Sequence, residues 1–136
     1  MRVGEALDFA RTHHRGVIAT TRQDGSTQMS PVVAAVDGSG AVVVSTRETA
    51  MKTAHVRRTG RAALLLMSDT FFGPWIQVEG SAEVVSLPDA MDGLVAYYRS
   101  ISGEHPDWDD YRSSMERDRR VLLRITVERA GPDTQG

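Results

Sequence analysis

Residues 16–46 read GVIATTRQDGSTQMSPVVAAVDGSGAVVVST, and three strand-like runs separated by two compact turns decide the fold. GVIATTR carries the β-branched residues of a strand. QDGS then offers an Asp24–Gly25 turn into TQMSPVVAAV, where Met29, Val33 and Ala35 alternate with Gln28, Ser30 and Ala34. DGSG supplies the second turn, into AVVVST. Two hairpins in succession predict a three-stranded antiparallel meander.

Toward the N-terminus, Val3, Ala6, Leu7 and Ala10 share one helical face, and the helix is expected to end near His13 to Gly16. After Thr46 the pattern again turns helical, with Thr49 as N-cap, Lys52 in the first turn and Gly60 as the stop. RAALLLMS reads as a strand buried on both faces, and DTFFGP turns the chain. From Trp75 to Val85, Ile76, Val78, Ala82 and Val84 alternate with Gln77, Glu79, Ser81 and Glu83. Pro88 and Asp89 suit a helix first turn, ahead of an apolar stripe of Met91, Leu94, Val95, Tyr98 and Ile101. Asp107 and Asp110 look like a cap and its reciprocal partner for a short acidic helix that buries Trp108, Tyr111 and Met115. VLLRITV is the last strand, and RAGPDTQG reads as a loose tail. The expected organisation is one domain over residues 1–129 and a tail over 130–136. Six mostly antiparallel strands joined by tight turns predict an α+β, mainly β fold: a small barrel with peripheral helices, since closure removes exposed edges.

With 136 residues, 40% hydrophobic and 25% charged, the composition is that of one globular domain. A chain this short buries only about two-thirds of its unfolded surface alone, which makes a second copy a natural partner. There is no cysteine, so disulfides, thiolate metal sites and thiol nucleophiles are excluded. The opening MRVGEALDFARTHH has acids among its apolar positions and reads as neither signal peptide nor membrane span. The expected location is the cytoplasm, with no membrane partner. A net charge of −2 argues against a general nucleic-acid binder. Charge is nevertheless uneven: Arg47, Lys52, Arg57, Arg58 and Arg61 stand against Glu48 alone, whereas acids dominate from Glu104 to Asp118.

Lys52 is the only lysine in the chain. A strand that ends at Ser45 and Thr46 and feeds a helix N-terminus presents free backbone N–H groups, and Lys52 and Arg47 reach the same region, as a phosphate or carboxylate site requires. The plain alternative is a solvated basic helix face. His13 and His14 are adjacent and His55 and His105 isolated, so no metal site is expected. HExxH, GxSxG, GxGxxG and P-loop patterns are absent, which disfavours hydrolase and ATPase chemistry. Trp75 is read either as a core anchor or as a flat wall for a planar ligand. Trp108 and Tyr111 are read as packing residues.

The runs RGVIATTRQDGSTQMSPV, VVVSTRETAMKTAHVRRTGRAALLL and WIQVEGSAEVV resemble the pyridoxamine 5'-phosphate oxidase-like flavin and deazaflavin proteins of the split β-barrel fold. YRSISGEHPDWDDYRSSMERDRRVLLRI resembles the C-terminal segment of one branch, the deazaflavin-dependent oxidoreductases that use coenzyme F420. The resemblance spans about Arg15 to Ile125 and implies a homodimer with two equivalent cofactor sites at the subunit interface. It implies that Lys52, in the xKT helix start with Thr53 beside it, binds the cofactor phosphate, with Ser45, Thr46 and Arg47 on the preceding strand end. Ser30 and Pro31 would lie beside the ring system, and Trp75, Ile76 and Gln77 would approach it from the other subunit. Binders of this branch often carry asparagine where Pro31 and His55 stand, and arginine where Ala50 stands. Pro31 removes an amide and a backbone donor from the ring pocket, and Ala50 removes a cation that Arg47 would replace. The implied activity is an F420-dependent reductase that transfers a hydride to a small molecule, with no side chain singled out as proton donor. An FMN flavoprotein on the same barrel and a non-catalytic carrier of a cofactor or haem-like pigment are the alternatives.

Overall fold

Along the strands Arg61–Met67 and Trp75–Val85 buried and accessible residues alternate, whereas Val42–Arg47 and the start of Arg120–Gly131 are buried on both faces, between the barrel interior and the helices outside it. The computed structural model describes residues 1–132. Its strands are β1 (Arg15–Thr21), β2 (Thr27–Val36), β3 (Val42–Arg47), β4 (Arg61–Met67), β5 (Trp75–Val85) and β6 (Arg120–Gly131). They pair antiparallel in the closed order β1-β2-β3-β6-β5-β4. Helices α1 (Val3–Thr12), α2 (Met51–Thr59), α3 (Met91–Ser102) and α4 (Trp108–Arg117) surround this barrel. The order of elements and the α+β split-barrel class are those expected.

Both hairpin turns are held by an aspartate that accepts from backbone two residues on: Asp24 from Ser26 N at 2.9 Å and Asp37 from Ser39 N at 2.9 Å. Ile18, Leu64, Leu66, Ile76, Val78, Leu123 and Ile125 fill the barrel, and Ala6 and Ala10 of α1 pack onto the same core. A second core holds α3 and α4 against the outside of the wall, through Leu94, Val95 and Tyr111 on Ala35, Val43 and Leu122. On β5 a bulge between Glu79 and Gly80 shifts the register with β6. A Cβ at Gly80 would stand 1.8 Å from the Thr126 carbonyl oxygen, so only glycine permits the approach.

Three local expectations change. The N-cap of α2 is Ala50, not Thr49, because a turn closed by Ala50 N to Arg47 O at 3.1 Å delays the helix to Met51. Gly60 ends that helix in the left-handed region, φ 65°, as expected. Pro88 and Asp89 sit in a turn ahead of α3, which starts at Met91. β6 runs past Val127 to Gly131, since Arg129, Ala130 and Gly131 pair with Glu79, Val78 and Gln77; residues 133–136 of the expected tail lie outside the described residues. The Asp107 cap forms, accepting from Asp110 N at 3.1 Å, and Tyr111 is the buried residue of α4, flanked by half-buried Trp108 and Met115.

Along the first half of β2 the apolar side faces outward: Met29 is 68% and Val33 40% exposed, while Gln28, Ser30 and Val32 are half-buried. The outer side of β4 is apolar too, through Ala63, Leu65 and Met67. A strand apolar on both faces needs cover on both.

Candidate cofactor site

Two strands that part company make the cleft. β2 pairs with β3 only from Ala34–Val44 to Val36–Val42. Before Ala34, β2 is held by β1, and beyond Val44, β3 is held by β6, through Ser45–Leu122, Thr46–Val121 and Arg47–Arg120. Pro31 lies past the last β2–β3 rung, where its missing N–H costs no bond to β3. Between the separated strands opens a cleft of about 500 Å³ lined by Pro31, Val33, Ser45, Thr46, Lys52, Tyr97 and Arg120, with Arg15 and Gly16 at its β1 side. The Tyr97 hydroxyl donates to the Val33 carbonyl at 2.7 Å. Burial raises the phenol's pKa, and the Ser45 backbone and Arg120 act in the opposite direction.

The cleft is cationic and unbalanced. Lys52 Nζ donates to Ser30 Oγ at 3.3 Å. Burial first, then the neighbouring Arg120, pushes the Lys52 pKa below that of an ordinary lysine. Arg120 Nε is buried and has no hydrogen-bond partner among the described residues. Among the described residues no aspartate or glutamate lines the cleft, and neither cation enters an ion pair. The start of α2 adds to this: Ala50 gives no side-chain cap and the first turn holds no acid, which leaves the positive end of the helix dipole open. Fully buried Thr53 fixes that first turn to the end of β3 by donating to the Arg47 carbonyl at 2.7 Å. Lys52 and Arg120, with Arg15 at the β1 side, the Ser45 hydroxyl and an open helix end form a donor set for a phosphate-like anion.

Of the residues singled out in the sequence, Pro31, Ser45, Thr46 and Lys52 line this cleft, Ser30 touches Lys52, and Thr53 supports it from behind. Arg47 is exposed at the strand end and does not line it. The second cation is Arg120, opposite Arg47 in the β3–β6 register. His55 is elsewhere: it is 3% exposed, with Nδ1 3.0 Å from the Thr20 hydroxyl inside the barrel end. Its face of α2 points at β1, which takes it away from the cleft.

Trp75 and Gln77 line a separate apolar hollow of about 550 Å³ on the outer face, with Val17, Met29, Leu65 and Phe71 among its walls. Ile76 points into the core at 2% exposure. Within one chain these three do not meet the Lys52 cleft. Arg120 and Tyr97 were not singled out in the sequence. The usable signal for Arg120 was an arginine opening a strand that pairs with the basic end of β3; Tyr97 lies just off the apolar stripe of α3 and carried none. Among the remaining histidines, His13 stacks on Phe9 at 3.9 Å, His14 bonds the Ala34 carbonyl at 2.8 Å, and His105 packs beside Tyr98 and Trp108.

The pyridoxamine 5'-phosphate oxidase family matches residues 3–132. The chain belongs to that family. Among solved structures, a conserved hypothetical protein from Mycobacterium tuberculosis is 26% identical with a TM-score of 0.77, over 96% of this chain and 82% of its own. An F420 reductase is 17% identical with a TM-score of 0.68, over 91% and 94%. A heme binding protein from Mycobacterium smegmatis is 16% identical with a TM-score of 0.72, over 94% of this chain and 52% of its own. At such identities the last two show a shared barrel fold. No described helix is long and apolar enough to cross a membrane.

Proposed function

We propose that this member of the family is a cytoplasmic, homodimeric reductase that uses the deazaflavin coenzyme F420 on a small organic substrate. The observation that carries the reading is the cation pair Lys52 and Arg120, with the unpartnered Arg120 Nε, in the cleft where β2 and β3 separate. The donor set fits the phosphodiester of the coenzyme: Lys52, Arg120 and Ser45 would hold it, with Thr46 beside them on β3, and the open end of α2 favours the same charge. When bound, the deazaflavin supplies two-electron hydride chemistry at a ring carbon. The chain's residues bind and orient. Tyr97, tied to Val33, lines the cleft, and Pro31 and Val33 give it an apolar wall. A second copy packed on the apolar outer face would bring its Trp75 and Gln77 toward the ring. Solvent supplies the proton.

The same cations suit the phosphate of FMN, and the missing N–H of Pro31 withdraws one donor from any ring beside it. Titration of the purified protein with oxidised F420 and, separately, with FMN, followed by quenching of tryptophan emission, discriminates the two. The expected result is micromolar or tighter F420 binding, with FMN much weaker. Replacement of Lys52 by alanine is expected to weaken F420 binding by about 1.5–3 kcal/mol, as for a charge-assisted hydrogen bond. Preference for FMN would replace the cofactor. Tight binding of F420 without turnover on a substrate panel would favour a carrier, and an unchanged affinity in Lys52→Ala would remove Lys52 from the site.

A further inference from the structure

We propose that the groove between α3 and the outside of the barrel wall is a binding site for a small organic ammonium ion, an amine on a compact apolar body. The inference is independent of the cofactor reading. It uses neither Lys52 nor Arg120, and shares with their cleft only Tyr97, which lines both.

The groove arises from how α3 seats on the wall. Along one side of the helix, Leu94 and Val95 pack onto Ala35, Val43 and Leu122. The neighbouring row is Ala90, Gly93 and Ala96, three residues apart and so on one helical face. A Cβ at Gly93 would stand 2.8 Å from Leu122 Cδ2, so helix and wall touch there. On either side of that contact the alanines are too short to fill the gap. What remains is a space of about 340 Å³ floored by Val36, Val43, Val85 and Leu122. That is far larger than the voids of ordinary packing and within the range of small-molecule sites.

Charge selects the ligand. Among the described residues, the charged side chains lining the groove are Asp37, Asp89 and Arg124. Each nitrogen of Arg124 already donates: Nε to Asp37 Oδ2 at 3.0 Å, and the two terminal nitrogens to Glu83 Oε1 at 2.7 Å and Ser39 Oγ at 2.8 Å. Burial raises the Asp37 pKa, but bonds from Ser39, Ala41 and Arg124 outweigh it and hold the carboxyl below the ordinary range. Arg57, which reaches Ser86 ahead of the helix, is itself paired with Glu48. Asp89, exposed in the turn before α3, enters no ion pair and accepts no hydrogen bond among the described residues. Three carboxylates around one committed arginine leave the groove negative, with Asp89 uncommitted. An ammonium group on Asp89, with its body on the valines and the Tyr97 ring, satisfies both parts of the lining, whereas a neutral analogue satisfies one.

The test follows backbone amides of the isotope-labelled full chain by NMR at neutral pH, with phenethylamine as probe and phenethyl alcohol as its neutral counterpart. The amine is expected to give saturable shifts centred on Gly38, Gly93, Ala96 and Ser100, with a dissociation constant of about 1 mM, in keeping with so few atoms. It should bind about fivefold tighter than the alcohol, as one accessible charge pair allows. Asp89→Asn should bring the two probes level, and that carboxylate has no structural partner to lose. Ala96→Phe, at an exposed position on the groove wall, should abolish the shifts and leave the rest of the spectrum dispersed. Shifts that do not saturate or that centre on other residues would overturn the proposal, as would equal binding of amine and alcohol, a preference kept by Asp89→Asn, or binding that survives Ala96→Phe. Protein that binds F420 but not the amine defeats this inference alone, whereas protein that binds the amine but not F420 defeats the reductase reading alone.

Discussion

The hydroxyl of Tyr97 donates to the Val33 carbonyl at 2.7 Å, so a side chain from α3 closes the sheet edge at which β2 leaves β3. Tyr97→Phe keeps the ring and removes that donor. The expected loss is about 0.5–1.5 kcal/mol, the net value of a neutral hydrogen bond, read from urea unfolding. An unchanged midpoint would mean that solvent satisfies Val33 equally well.

Arg120 should show opposite effects on stability and on binding. Its Nε is buried without a partner, and its charge opposes that of Lys52. Arg120→Met retains most of the apolar stem and removes both burdens. The free variant is expected to melt no lower than wild type, while the stabilisation conferred by inorganic phosphate is lost. Scanning fluorimetry with and without phosphate measures both at once. A large drop in melting temperature without phosphate would assign Arg120 a structural role instead.

His55 makes stability pH-dependent in one direction. Burial first, then Arg58 and Arg22, holds its pKa below 6.5, and the facing Thr20 hydroxyl is compatible with a neutral ring. The unfolded chain therefore takes up the proton at higher pH than the folded one, so the contribution of neutral His55 is fully present above 6.5 and is lost as pH falls toward the lower folded value. Denaturant midpoints for wild type and His55→Gln, compared between about pH 7 and pH 5, the histidine range, should differ in slope, with wild type the steeper. Parallel curves would rule the histidine out as the source.

The apolar outer face calls for a partner surface. Met29, Phe71 and Phe72 are 68%, 73% and 93% exposed on or beside the hollow that holds Trp75, a grouping that isolated soluble chains seldom display. Sedimentation should find wild type as a dimer and Met29→Glu combined with Phe71→Glu as a folded monomer. A monomeric wild type would leave the face without its second copy.

Where the sequence is locally explicit, the fold follows from it. Asp24 and Asp37 announce their hairpins, Gly60 ends α2, and Asp107 caps α4, because each acts on backbone a few residues away. Lys52, Ser45 and Thr46 were legible for the same reason: they flank a single strand-to-helix turn. Arg120 was not, because its place beside Lys52 is set by the β3–β6 register. Alternation in β2 separated Met29 and Val33 from Gln28 and Ser30 but did not say which set faces inward; the pairing of Val17 with Pro31 fixes that. His55 lies away from the cleft because α2 buries Thr53 and His55 along with Val56, a placement that periodicity did not signal since that inner face lacks an apolar signature.

The barrel is solid, and its cleft is cut into the seam of the wall. Side chains such as Ile18, Leu64 and Leu123 that hold the strands together contribute nothing to the lining, and Lys52, Tyr97 and Arg120 belong to no part of the inner core. Only Val32 belongs to both, so the scaffold and the polar groups of the seam are written in nearly separate alphabets. A lineage can exchange a few letters at the seam and change what the protein carries, while the interior keeps the same spelling.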